Sequence, residues 1–318
     1  MSDNYSTSFA SWPDCTFTWE PEDQDYLPGS HWDPFYENID SLVDELPTII
    51  GSSLGTVSYS DGRPVPRKVP AEWPKGVHLC WPNNNRGLIT TFTGILRSSS
   101  SVDKEGGELL SLYPFFSEGI QASIEIRQVF VLNRAETLIE GSWGQSDISF
   151  FDTQFFSNCA WYKAGEAYDF ILSGIAYEAK PAEVREISIT PETRQILGLE
   201  ESAPPVISME GAAMFLSITE WNKDDYWFHG PVLEVKPFSK ERFDDMLGQS
   251  GWQIRVTVMR FSDEEEYEDA ELEIVVTQRA WSGSEPPKVG QDVEGRLWLQ
   301  GYLWNAQPQF NPVLTPET

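Results

Sequence analysis

The chain has 318 residues, 40% of them hydrophobic, enough for two or three domains with cores of their own. Its 22 Lys and Arg against 50 Asp and Glu give a formal net charge of -28 and a pI near 4.3. Affinity for nucleic acid or an anionic bilayer draws on cations that neutralise phosphates, so this balance disfavours both classes and fits a basic partner or simple solubility better.

Residues 1–30, rich in Ser, Asp, Glu and Pro with aromatics between them, read as an irregular arm that opens without a basic, apolar leader. Asp33-Pro34 then sets an N-cap acceptor before a proline suited to the first helical turn. Phe35, Ile39, Leu42, Val43 and Leu46 recur at helical spacing as far as Pro47. Thr56–Ser60 alternates into the turn signal Asp61-Gly62 and a proline-rich stretch, and Val77–Trp81 with Leu88–Thr93 flank an Asn-rich loop as a hairpin. Residues 1–106 therefore read as an arm and a small α+β module, closed by a Ser-rich linker from Ser98 to Gly107.

From Ile120 the alternation Ile120, Ala122, Ile124, Ile126 predicts a half-buried strand. Strands at Thr137–Gly141, Ile148–Phe151 and Tyr168–Tyr177 follow, so 107–182 reads as a small barrel. Residues 183–222 read as an ordered bridge with a strand at Val184–Ile189 and a short helix after Thr190-Pro191. A second barrel, 223–305, begins at Tyr226–Val235 and continues through a helical insertion at Phe238–Leu247. Trp252, Ile254, Val256 and Val258 then face one way, an acidic loop follows, and Leu272, Ile274 and Val276 precede the last strand. Residues 306–318, with three prolines, read as a tail.

One order of residues occurs twice. Thr153-Gln154 leads to Gly165 and a run ending Ala176-Tyr177; Thr277-Gln278 leads to Gly290 and a run ending Gly301-Tyr302. A fixed order used twice marks one supersecondary unit repeated. In its strand order each unit resembles an OB-fold, and an SH3-like barrel fits the same pattern. The resemblance implies a mainly β protein with minor α, an N-terminal α+β module followed by two OB-like small β-barrels. Thirteen Trp, 18 Phe and 11 Tyr support the β bias.

Gly51-Ser52-Ser53-Leu54-Gly55 matches the nucleophile elbow, but a helix precedes it and a strand follows, the reverse of what the elbow needs. His78 and Cys80, two apart on a strand, share a face as a base and its thiol would; a core cysteine beside a hydrogen-bonded histidine is commoner. Three cysteines without a Cys-x-x-Cys pair indicate neither a disulfide framework nor zinc, and no Gly-rich phosphate cradle occurs, so no metal or cofactor is expected. The aromatics carry more information. Alternation places Val293, Leu297 and Leu299 inward and Arg296, Trp298 and Gln300 outward, with Trp227 and Trp281 nearby.

These residues and the acidic loop (Glu264, Glu265, Glu266, Glu268, Asp269) form the candidate partner-binding set, with packing of the aromatics against the neighbouring unit as the nearly equal alternative. The expected function is a cytoplasmic, non-catalytic acidic protein without membrane segments, docking a basic protein as inhibitor, immunity factor or adaptor. Single-stranded nucleic-acid or nucleotide binding by a barrel face, and a hydrolase using Ser53 or His78 with Cys80, are the alternatives.

Overall fold

The computed structural model describes residues 17–19, 31–55, 76–93, 108–132, 136–183, 186–190, 206–218, 220–240, 246–262 and 267–305. The expected strand at 56–60, the linker at 98–107, the helix after Pro191, Glu264–Glu266 and the tail lie outside them. The fold is mainly β with minor helix.

The N-terminal part holds β1 (Phe17–Trp19), α1 (Asp40–Ser52), β2 (Leu54–Gly55), β3 (Gly76–Pro82), β4 (Arg86–Thr93) and β5 (Glu108–Phe116). Strands β2 to β5 pair antiparallel in chain order, so this sheet continues past residue 106. The helix corrects the expectation from Asp33-Pro34. The N–H groups of Phe35 and Tyr36 donate to Trp32 O in a tight turn, and α1 starts only where Asn38 Oδ1 accepts from Asp40 N. Its buried face is Leu42 and Ile49, seven residues apart, while Ile39 and Val43 are exposed. Pro47 lies inside the helix rather than ending it.

Then come β6 (Ile120–Val131), β7 (Thr137–Trp143), β8 (Ser146–Asp152), the short α2 (Phe155–Asn158), β9 (Ala167–Pro181), β10 (Glu186–Ser188), β11 (Val206–Ser208) and β12 (Met214–Ser217). The last four strands are β13 (Asp225–Phe238), β14 (Gly251–Ser262), β15 (Tyr267–Thr277) and β16 (Asp292–Asn305). The middle of the insertion expected at Phe238–Leu247, residues 241–245, lies outside the described residues; on its two sides stand the end of β13 and a turn from Met246 to Gln249.

Ten strands form one sheet in the order β1-β6-β7-β8-β16-β9-β15-β14-β13-β12, and two further pairings, β6 with β9 and β13 with β16, close it twice. Each closed ring has five strands with the first between the second and fourth, and the third parallel to the fifth, a small Greek-key barrel. Neither unit owns its fifth strand. β16 supplies it to the first barrel (β6 to β9), and β9 supplies it to the second (β13 to β16). A single antiparallel ribbon of β9 and β16 therefore runs through both.

The register makes this a two-fold relation. Gly165 and Gly290 both have φ of 79°, and Leu172 and Leu297, each seven residues later, pair with residues at the start of their barrels' first strands, Ile120 and Tyr226. Phe151 lies parallel to Gln300 as Val275 does to Ile175. β6 shifts register between Ile126 and Gln128, and β13 shifts at the matching place between Val232 and Glu234. The two copies meet at Gly174 opposite Leu299.

Two cores result. The barrel interiors hold Ile124, Ile126, Phe170, Leu172, Phe228, Ile254, Leu272 and Leu297, the faces that alternation predicts. A second core lies outside the ribbon, where Phe35, Leu42, Ile49, Leu88 and Phe115 of the N-terminal part cover Phe151, Ile175, Val275 and Trp298.

Candidate functional site

The second core relocates the aromatic candidates. Trp298 points out of its barrel, as alternation requires, but is fully buried because the N-terminal part packs on that side. Its ring stacks on His31 at 3.7 Å, and Nε1 donates to Asp224 Oδ2 at 2.7 Å. Gln300 is buried for the same reason: Nε2 donates to Pro114 O and Oε1 accepts from Phe116 N, tying ribbon to β5. Trp281 is also buried, with Nε1 donating to Glu285 O and its ring edge-on to Trp252. Trp298 and Trp281 are thus packing residues and cannot meet a partner.

Trp227 and Arg296 do come together. They are cross-strand partners on β13 and β16, and Leu216 of the edge strand β12 opposes Trp227 from the other side. Odd-numbered β13 residues face outward, since Tyr226 and Phe228 fill the barrel, so Leu216, Trp227 and Arg296 form one outward row. Leu216 is 47% exposed and Trp227 half-buried. The Arg296 guanidinium lies over the rings of Trp221, at 4.4 Å, and Tyr177, at 4.8 Å.

A buried chain fixes that arginine. Arg296 donates to Asp225 Oδ2 at 2.5 Å, Tyr177 OH donates to Asp225 Oδ1 at 2.7 Å, and His31 Nδ1 meets Tyr177 OH at 2.6 Å. Because the Tyr177 proton is used on Asp225, His31 carries its proton on Nδ1 and donates it to the phenol oxygen. Burial, aided by the Arg296 charge, holds His31 down to about 3, so the ring is neutral at ordinary pH. Burial raises Asp225, while the hydrogen bonds from Arg296 and Tyr177 act the other way. The arrangement orients Arg296.

The acidic loop joins β14 to β15. Its Glu264, Glu265 and Glu266 lie outside the described residues, but the ladder continues to Ser262 opposite Tyr267, and Glu268 and Asp269 stand exposed at the hairpin's end. Asp269 pairs with Arg260 at 3.2 Å. Just below, Phe261 packs edge-on to Trp143 at the β7–β8 turn of the first barrel, which steadies the hairpin.

The hydrolase candidates are occupied otherwise. Ser53 Oγ donates to Ile49 O at 2.7 Å at the end of α1. His78 and Cys80 share the buried face of β3, as their spacing requires, but turn to different partners. His78 bridges Ser157 Oγ at 3.3 Å and Tyr113 OH at 3.2 Å, whereas Cys80 Sγ donates to Asn84 Oδ1 at 3.0 Å. Burial lowers His78 to about 4, which leaves a neutral but weakly basic ring, and raises the Cys80 thiol, which disfavours the thiolate a nucleophilic pair needs.

Sequence reasoning gave no signal for Asp152. It is 2% exposed at the end of β8, with Oδ1 accepting from Gln154 N and Oδ2 from Tyr162 OH, and burial pushes it up to about 7. A carboxyl raised on folding binds its proton more tightly in the folded state, so its contribution favours folding at low pH and is lost as pH rises from about 4 to about 7. His31 and His78, lowered on folding, act oppositely: their contribution is present above pH 6.5 and lost as pH falls toward 4 and 3. Asp152→Asn removes the opposing slope, so this variant loses more stability than the parent between pH 7 and pH 5. Urea midpoints at the two pH values read this directly, and equal losses would show that Asp152 does not titrate there.

Comparison with protein-family models, with curated proteins and with solved structures finds no match to this chain.

Proposed function

We propose that this chain is a non-catalytic acidic binding protein that docks a basic protein, acting as inhibitor, immunity factor or adaptor. The observation that carries this reading is the state of the cations. Every described arginine, Arg86, Arg127, Arg255, Arg260, Arg279 and Arg296, has a carboxylate within ion-pair distance. The net charge of -28 therefore meets no free arginine cluster on the described surface that could grip phosphates. The same fact weighs against the oligonucleotide alternative, whatever the barrel topology.

Two features of the second barrel suit a basic protein surface. The β14–β15 hairpin carries negative charge that steers the encounter, and the row Leu216–Trp227–Arg296 supplies the apolar and aromatic contact that holds it. No described helix is long and apolar enough to cross a membrane. The free, buried thiols of Cys80 and Cys159 suit a reducing cytoplasm, where we place the protein.

Capture from the native host with three immobilised baits tests the reading: the parent chain, Trp227→Ala, and Glu268→Lys with Asp269→Lys. A protein of high isoelectric point retained by the parent at about 0.15 M salt, and about tenfold less by each variant, is the expected result. Equal retention by all three baits would remove both features from the interface.

A further inference from the structure

His229 is 1% exposed, yet neither ring nitrogen has a hydrogen-bond partner. Buried polar groups are nearly always satisfied, so each exception asks for a cause. The ring lies on the outward face of β13, between Met214 of β12 and Glu294 of β16, with Trp227 edge-on at 6.1 Å.

Its cover is a strap, residues 209–213, that leads into β12. β12 runs along one edge of β13 and β16 along the other, yet Gly211 N donates to Asp292 Oδ2 of β16 at 2.8 Å. The strap must therefore cross β13. It does so on the outer face, because Asp292 alternates with the inward Val293, and the crossing falls at His229 and Pro231, the residues opposite Glu294 and Asp292. Besides the Gly211 contact, the strap's own bonds are short-range ones, from Ala212 N to Met209 O and from Glu210 N to Ser208 Oγ. The Gly211 position is open space.

A neutral imidazole offers one donor and one acceptor. Beside this one stand two carboxylates, Asp292 and Glu294, the latter 6% exposed and 3.4 Å from Lys180, which also reaches Glu183 at 3.0 Å. The described His, Cys, Asp and Glu side chains form no metal-holding group, so the donor set suits an organic cation carrying several N–H groups. Such a cation can donate to the imidazole acceptor and to both carboxylates while its stem lies along Trp227.

We propose that the outer face of β13 beneath the strap receives one lysine or arginine side chain of the basic partner, the strap lifting to admit it. This rests on the docking reading above and names the contact at its centre: the receiving groups are His229, Asp292 and Glu294, next to the exposed row at Trp227. Partner binding gives the imidazole the hydrogen bond it lacks, so the unsatisfied ring marks the unbound state.

Long-range proton–nitrogen correlation spectra of the full chain test this with methylguanidinium and n-butylammonium as probes and urea as the neutral control. The expected result is a saturable shift of the His229 ring nitrogens at millimolar probe, with His31 and His78 unmoved as reporters of an intact fold. Glu294→Gln and Asp292→Asn each weaken the probe by about tenfold. A shift that does not saturate, or that urea reproduces, overturns the site. Partner capture with an unresponsive His229 overturns it too and leaves the docking reading standing. Saturable probe binding with failed capture keeps the cation receptor and overturns the docking reading.

Discussion

Trp298→Ala is expected to lower the unfolding free energy by about 4 to 5 kcal/mol, near the top of the range for one substitution. The indole is fully buried where the N-terminal part meets the ribbon. Truncation removes its stack on His31, its contact with Phe151 at 5.0 Å and its indole hydrogen bond to buried Asp224. Trp298→Phe separates the parts, since it keeps a ring in the stack and loses the N–H, at a cost of about 1 to 3 kcal/mol. Urea unfolding followed by far-UV circular dichroism reads both. A Trp298→Ala cost below about 1 kcal/mol would mean that this joint does not hold the two parts together.

Trp298 also marks how far the sequence could be read. Alternation put Leu297 and Leu299 inside and Trp298 outside the barrel, and all three predictions of direction hold. Direction is not exposure, because period-2 patterning reports two faces and cannot say whether a second layer covers the outer one. The residues that form this layer, Phe35, Leu42, Leu88 and Phe115, are far away in the chain and pair with nothing in the local pattern.

The repeat at Thr153 and Thr277 was legible for a similar reason: it is local, fixed by a positive-φ glycine and by a strand's small residues. The exchange of fifth strands was not. It depends on β8 lying parallel to β16 and β15 parallel to β9, long-range pairings that leave no spacing signature. The helix start was misplaced by a local competitor, the turn that Trp32 closes before Asn38 can cap. Of the candidate site, Trp227 and Arg296 are half-buried and the hairpin acids Glu268 and Asp269 are exposed. His229 stood in view as one of three histidines, but nothing in its spacing signals that it is buried.

The second large effect concerns the ribbon. Gly295 lies on β16 opposite Ala179, beside the register shift at Arg296 and Leu297, and a side chain there would begin 2.1 Å from Glu178 O. The obstruction is backbone, so Gly295→Val must push β9 and β16 apart, at a cost of about 3 kcal/mol or more. The substitution sits in the second barrel, but the strand it displaces also completes the first. Shared closure makes one cooperative unit of the two barrels, and the loss should be felt equally in both.

Native-state hydrogen exchange on Gly295→Val therefore tests the central claim of a shared ribbon most directly. Amides of β7, in the first barrel, and of β14, in the second, should lose the same amount of protection relative to the parent chain. Protection lost from β14 while β7 keeps its parent value would contradict it, since each barrel would then close on its own.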